Sequence, residues 1–163
     1  MSNTLMRAIV LTAVITFSLA ASAQQLAQKN VLTLAVAKQI AAAAEAEAVK
    51  NNVAVVIAIV DDGGNLIFLE RMDDAQIGSI DVAQAKAHSA IAFKRPTKVF
   101  QDALAAGNLA VLKLPGAMVS EGGLPLLVDG KVIGAIGVSG AVSQQDAAAA
   151  AVGVNTLAKI LHQ

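Results

Sequence analysis

SEGGLPLLVDGKVIGAIGVSGAVSQQDAAAA, residues 120–150, reads as a glycine-edged β-hairpin that runs directly into a helix. Leu124–Val128 and Val132–Val138 are short aliphatic runs rich in β-branched residues. The pair between them, Asp129-Gly130, tolerates the positive φ angles of a type I′ turn. Gly134, Gly137 and Gly140 then recur every third residue, which lets another backbone or a flat ligand approach the strand end. Ser143 is placed to cap a helix over Gln144–Leu161, with Asp146 three residues on completing a capping box.

Working outward, Val53–Val60 is an eight-residue apolar run, turned at Asp61-Asp62-Gly63-Gly64-Asn65 into Leu66–Arg71 as a second hairpin. Thr33 caps a helix from Leu34 to about Asn51, with alanines on its inner side and Lys38, Glu45, Glu47 and Lys50 outside. Ser79 caps a further helix, Ile80 to about Lys94, which Pro96 stops. Thr97 begins a short helix over Lys98–Ala106, ended by Gly107. Ala117–Val119 offers a short fifth strand. Helix, hairpin, two helices, hairpin and helix make an α+β domain with an antiparallel sheet.

The first 23 residues stand apart. Arg7 supplies a positive start, Ala8–Ala20 an apolar stretch and Ala21-Ser22-Ala23 a small-x-small cleavage pattern, the marks of a secretory signal peptide. The apolar stretch is shorter than the roughly 20 residues that a membrane span needs. Residues 24–163 then form one mature domain, periplasmic or secreted, with no membrane association after cleavage. Its 11 basic and 12 acidic residues argue against a nucleic-acid partner. The chain has no cysteine, four Phe and no Trp or Tyr, so stability comes from an aliphatic, alanine-rich core. Thin layers of that kind bury little area each, which points to a homo-oligomer.

The hairpin with its following QDAAAA, together with VDDGGNLIFLERMDDA at 60–75, SIDVAQAKAHSAIAFKRPT at 79–97 and LPGAM at 114–118, resembles the GlcG/HbpS-like haem-binding family. It is also similar to the C-terminal domain of some corrinoid adenosyltransferases. The resemblance runs from about Leu32 to Leu161. It implies a single-domain α+β fold with a five-stranded antiparallel sheet carrying helices, of the profilin or roadblock type. It also implies an oligomer and haem, or a related tetrapyrrole, as ligand.

With that ligand in view, His88 is the better placed of two histidines, since His162 is penultimate. It is either an axial ligand to haem iron, and so the metal-binding residue, or an ordinary helix-surface residue. Lys86 on the same helix and Arg71 at the end of a strand are candidate propionate partners, and structural ion pairing is the alternative for both. Met72 and Met118 are reserve soft ligands or plain core methionines. Glu121-Gly122-Gly123 is either an anion-binding nest with a neighbouring carboxylate or a tight loop that needs glycine. Ser139 and Gly140 precede a helix N-terminus, which also favours anions.

No residue pattern supports nucleophilic or zinc catalysis: there is no cysteine, no His-Glu-x-x-His and no Gly-x-Ser-x-Gly elbow. Three readings follow. The first is an exported oligomeric haem binder with a storage or sensing role. The second is a haem-degrading enzyme. The third is a binding module for a small carboxylate of the glycolate type.

Overall fold

A computed structural model describes residues 28–162. The signal-peptide reading of residues 1–23 lies outside the described residues. Four helices and four strands follow the order α1 (Leu34–Lys50), β1 (Val56–Asp61), β2 (Leu66–Arg71), α2 (Ser79–Phe93), α3 (Lys98–Ala105), β3 (Gly123–Val128), β4 (Lys131–Ser139), α4 (Ser143–Leu161). A 3₁₀ turn at Leu109–Lys113 lies between α3 and β3.

The strands form one antiparallel sheet in the order β2-β1-β4-β3. The two central strands, β1 and β4, bury both faces, which is why their sequences read as unbroken apolar runs rather than alternating ones. Along β1 the sides separate cleanly. Ile57 and Ile59 join the core beneath α1 and α4, whereas Val56, Ala58 and Val60 face α2. The sheet is therefore sandwiched, with α1 and α4 on one side and α2 on the other.

Alanines in α2 make that second layer thin. Ala83, Ala87 and Ala90 are fully buried against the sheet, and the helix backbone comes so close to β4 that a Cβ on Gly137 would collide with Ala83 O and Ala87 N. The glycine spacing in β4 thus admits a helix backbone at its midpoint. Asp129 and Gly130 take φ values of 49° and 73°, the type I′ pair expected of them.

Several local expectations are corrected. The sheet has four strands rather than five: Ala117–Val119 forms none, and the Met118 N–H donates to Ser89 Oγ instead. Ser79 is the first residue of α2, not its cap, because its buried hydroxyl turns to Ser139 Oγ at 3.4 Å. Thr97 stands at the head of α3 without capping it. Its hydroxyl accepts from Gly123 N–H and its own N–H donates to Gly123 O, so Thr97 clips the start of β3 to the α2–α3 corner. Ser143 makes no cap bond either, and Asp146 reaches the Ala141 N–H while committing its second oxygen elsewhere. Thr33 does cap α1, accepting from Val36 N–H.

Candidate functional site

His88 lies on the outer face of α2, exposed to solvent and free of hydrogen bonds among the described residues. Positions three before and four after it share that face of the helix, and both are exposed alanines, Ala85 and Ala92. Such short neighbours leave the imidazole unshadowed. Beside it the β1–β2 turn passes close enough that a Cβ on Gly64 would stand 3.2 Å from His88 Cδ2 and 3.3 Å from Nε2. Leu66 opens β2 opposite Val60, hence on α2's side of the sheet, and is half exposed. Leu69 further along packs on the α2 cluster. Together α2 and the edge strand bring Ala85, Ala92, Gly64 and Leu66 around one exposed imidazole.

Lys86 is only two positions away yet faces the opposite direction, since two residues turn an α-helix by about 200°. Its side chain is 1% exposed, its ammonium 2.7 Å from Asp146 Oδ2 and 3.0 Å from Val138 O. Lys86 therefore ties α2 to the end of β4 and the head of α4, and cannot address a ligand on His88. By its sequence position Asp146 reads only as a capping residue. The available signal was Lys86 itself, a lone cation among alanines on the inner stripe of a helix, which demands a buried partner.

The glycine-rich edge does assemble. Gly122 O accepts from Val138 N–H, Gly123 pairs with Gly137, and Ser139 and Gly140 follow directly. The edge is closed, however. Gly122 and Gly123 are buried, a Cβ on Gly122 would stand 2.9 Å from Lys86 Nζ, and one on Gly123 would strike Lys86 O. Glu121 is also buried, its N–H bound to Gln101 Oε1 and its carboxylate without a hydrogen-bond donor among the described residues. Gly140 O accepts from Gln76 Nε2.

Arg71 is exposed and forms no ion pair among the described residues. It lies in register with Val56, and Val56 with Ser139, so Arg71 sits two strands across from the glycine-rich edge. His88 is at the other end of the sheet, by the β1–β2 turn, separated by the length of β2, roughly 20 Å. One protomer thus groups Lys86, Glu121–Gly123, Ser139 and Gly140, with Arg71 nearby and His88 apart. Of the reserve donors, Met72 Sδ accepts from Val55 N–H at 3.5 Å and packs on the α1/α4 core. Among the described residues no group of three His, Cys, Asp or Glu side chains is arranged to hold a metal ion, and no helix is long and apolar enough to cross a membrane.

The fold is thus a four-stranded α+β domain that presents an uncommitted imidazole on an exposed helix face. More narrowly, the family model described as haem degrading protein HbpS-like matches residues 32–155, and the chain belongs to that family. A 15.0 kDa protein from the dhaT-dhaS intergenic region of Citrobacter freundii is 38% identical over 123 residues, covering 73% of this chain and 87% of that one. Protein GlcG of Escherichia coli K12 is 42% identical over 88 residues, 54% of this chain and 66% of GlcG. Among solved structures, a PduOC:heme complex superposes with a TM-score of 0.70 at 31% identity, covering 77% of this chain and 94% of that one.

Proposed function

We propose that this chain is an exported, homo-oligomeric haem-binding protein with a storage or sensing role, and that His88 supplies the axial nitrogen. The observation that carries the reading is the exposed imidazole with no hydrogen-bond partner among the described residues, flanked by Ala85 and Ala92 and bordered by Gly64 and Leu66. A porphyrin needs an apolar rest and one lone pair, and the alanines and Leu66 beside the exposed imidazole support that reading. Membership of the HbpS-like family and similarity to a PduOC:heme complex support haem as the tetrapyrrole.

Oxidative degradation of bound haem is the second reading, favoured by the family's description as haem degrading. Bound haem would supply the iron, external peroxide would be the oxidant, and the protein would supply position.

Hemin titration of residues 24–163, followed at the Soret band, tests the proposal. Saturable binding is expected, with His88→Ala weakening it and shifting the Soret maximum. A stable spectrum under peroxide supports storage or sensing, whereas loss of the band with iron release supports the degrading enzyme. No saturable binding by the unmodified protein would overturn the haem reading in favour of a small-carboxylate module centred on Arg71.

A further inference from the structure

The two edges of the sheet end differently. In an antiparallel pair, successive residues turn their N–H and C=O alternately toward the neighbouring strand and away from it. Gly122 O accepts from Val138 N–H, so along β3 it is Gly123 and Pro125 that face outward. Thr97 takes both the N–H and the C=O of Gly123, and Pro125 has no N–H, so this edge is shut. The opposite edge, β2, has no such closure. Met72 N–H donates to Val55 O, which sets Leu69 and Arg71 outward, and among the described residues no hydrogen bond from beyond the sheet reaches their backbone groups. The strand reads Leu-Ile-Phe-Leu-Glu-Arg, without proline or lysine, and every one of its side chains keeps some exposure.

We propose that the β2 edge pairs antiparallel with the β2 edge of a second copy about a two-fold axis at Leu69, joining two four-stranded sheets into one. The inference names a surface for the homo-oligomer proposed above and rests on that part of the reading. Charge selects the register. Centring the pair on Glu70 would set two Glu70 carboxylates face to face beside Glu45, and centring it on Arg71 would oppose two guanidinium groups. Centring on Leu69 instead places Phe68 opposite Glu70 and Ile67 opposite Arg71, while the two Leu69 residues exchange N–H to C=O bonds across the axis. A stable seam needs roughly 800 Å² from each copy, more than backbone bonds cover. Leu66, half exposed, and Val49, 57% exposed and one turn beyond Glu45 on α1, flank the strand and extend the apolar contact. The two-fold also carries Arg71 of the partner subunit to the end of β2 at which His88 stands, so a guanidinium and an imidazole that one protomer keeps apart come to the same end of the seam.

Because the chain has no cysteine, a single substitution tests the axis. In this register the Leu69 Cα atoms of the two copies lie about 5.5 Å apart, within the roughly 4.4–6.8 Å span of a disulfide. Leu69→Cys in residues 24–163 should therefore pass to a covalent dimer under mild oxidation several-fold faster than Leu127→Cys, an exposed position on the shut β3 edge. In the parent, the Leu69 and Arg71 amides should exchange with solvent deuterium several-fold more slowly at concentrations where the oligomer forms than after dilution. Arg71→Pro removes one outward donor and no bond to β1, so it should lower the mass in light scattering. Should that variant not fold, Leu69→Lys carries the same measurement. An oligomer in which Leu69→Cys cross-links no faster than Leu127→Cys, with both amides exchanging freely, would overturn this seam while leaving the homo-oligomer intact. Amide protection that persists on dilution would assign the edge to a segment of the same chain and overturn the seam as well. A parent that stays monomeric throughout would remove the homo-oligomer and the seam together.

Discussion

Lys86 shows how a single side chain can look like a ligand contact in sequence and prove to be a structural tie. Both it and Asp146 are almost wholly buried, 2.7 Å apart, and the Val138 carbonyl takes a further ammonium proton. Removing one partner from such a pair strands the other charge in a low-dielectric interior. Lys86→Met or Asp146→Leu alone should therefore cost about 3–5 kcal/mol of unfolding free energy. The double replacement should recover much of that loss, because two apolar side chains need no compensation. Denaturant melts of the three variants check this. A double variant that loses the sum of the two single losses would mean that the pair is not coupled. Since His88 points the other way from α2, the double variant should also keep the hemin spectrum of the parent.

Between elements, the contact of α1 with the edge strand β2 carries a pH dependence. Glu70 on β2 has its pKa raised from 4.5, by burial first and by the neighbouring Glu45 carboxylate on α1 second. A folded-state pKa above the unfolded value means that the protonated form is favoured by folding. That contribution is complete below pH 4.5 and is lost as pH rises through the raised value. Glu70→Gln should accordingly raise the melting temperature at pH 7 and make little difference near pH 4. A pH-independent effect would assign the change to packing instead. The elements themselves were largely legible, because Asp129-Gly130, the apolar runs and the Gly and Pro stops are local signals. The cap assignments at Ser79, Thr97 and Ser143 were not, since each hydroxyl was matched to its own helix while its actual partner lies elsewhere or is only a weak contact. Thr97 reaches Gly123 across 26 residues and Ser79 reaches Ser139 across 60. The same distance in sequence hid the Lys86–Asp146 pair. It also hid the separation of Arg71 from His88, which depends on strand register rather than on spacing along the chain.

At the scale of the whole molecule, several large apolar side chains stand exposed among the described residues. Leu109 is 66% exposed and Leu112 59%, on the 3₁₀ turn that packs beside α3, while Val99 of α3 and the following Leu114 are exposed as well. Full burial of one such side chain is worth about 1.5–3 kcal/mol, and a stable interface needs roughly 800 Å² from each partner. We propose that these exposed side chains contribute to a seam between copies of the chain. Light scattering on residues 24–163 should therefore give a mass several times that of one chain at micromolar concentration. Leu109→Asp combined with Leu112→Asp should lower that mass without loss of helix content, because both side chains project from the fold rather than into its core. A parent protein that stays monomeric would refute the assembly. An assembly indifferent to the two aspartates would place the seam elsewhere. Hemin titration of the dissociated variant then asks whether the His88 face suffices alone, and unchanged affinity would show that each protomer carries a whole site.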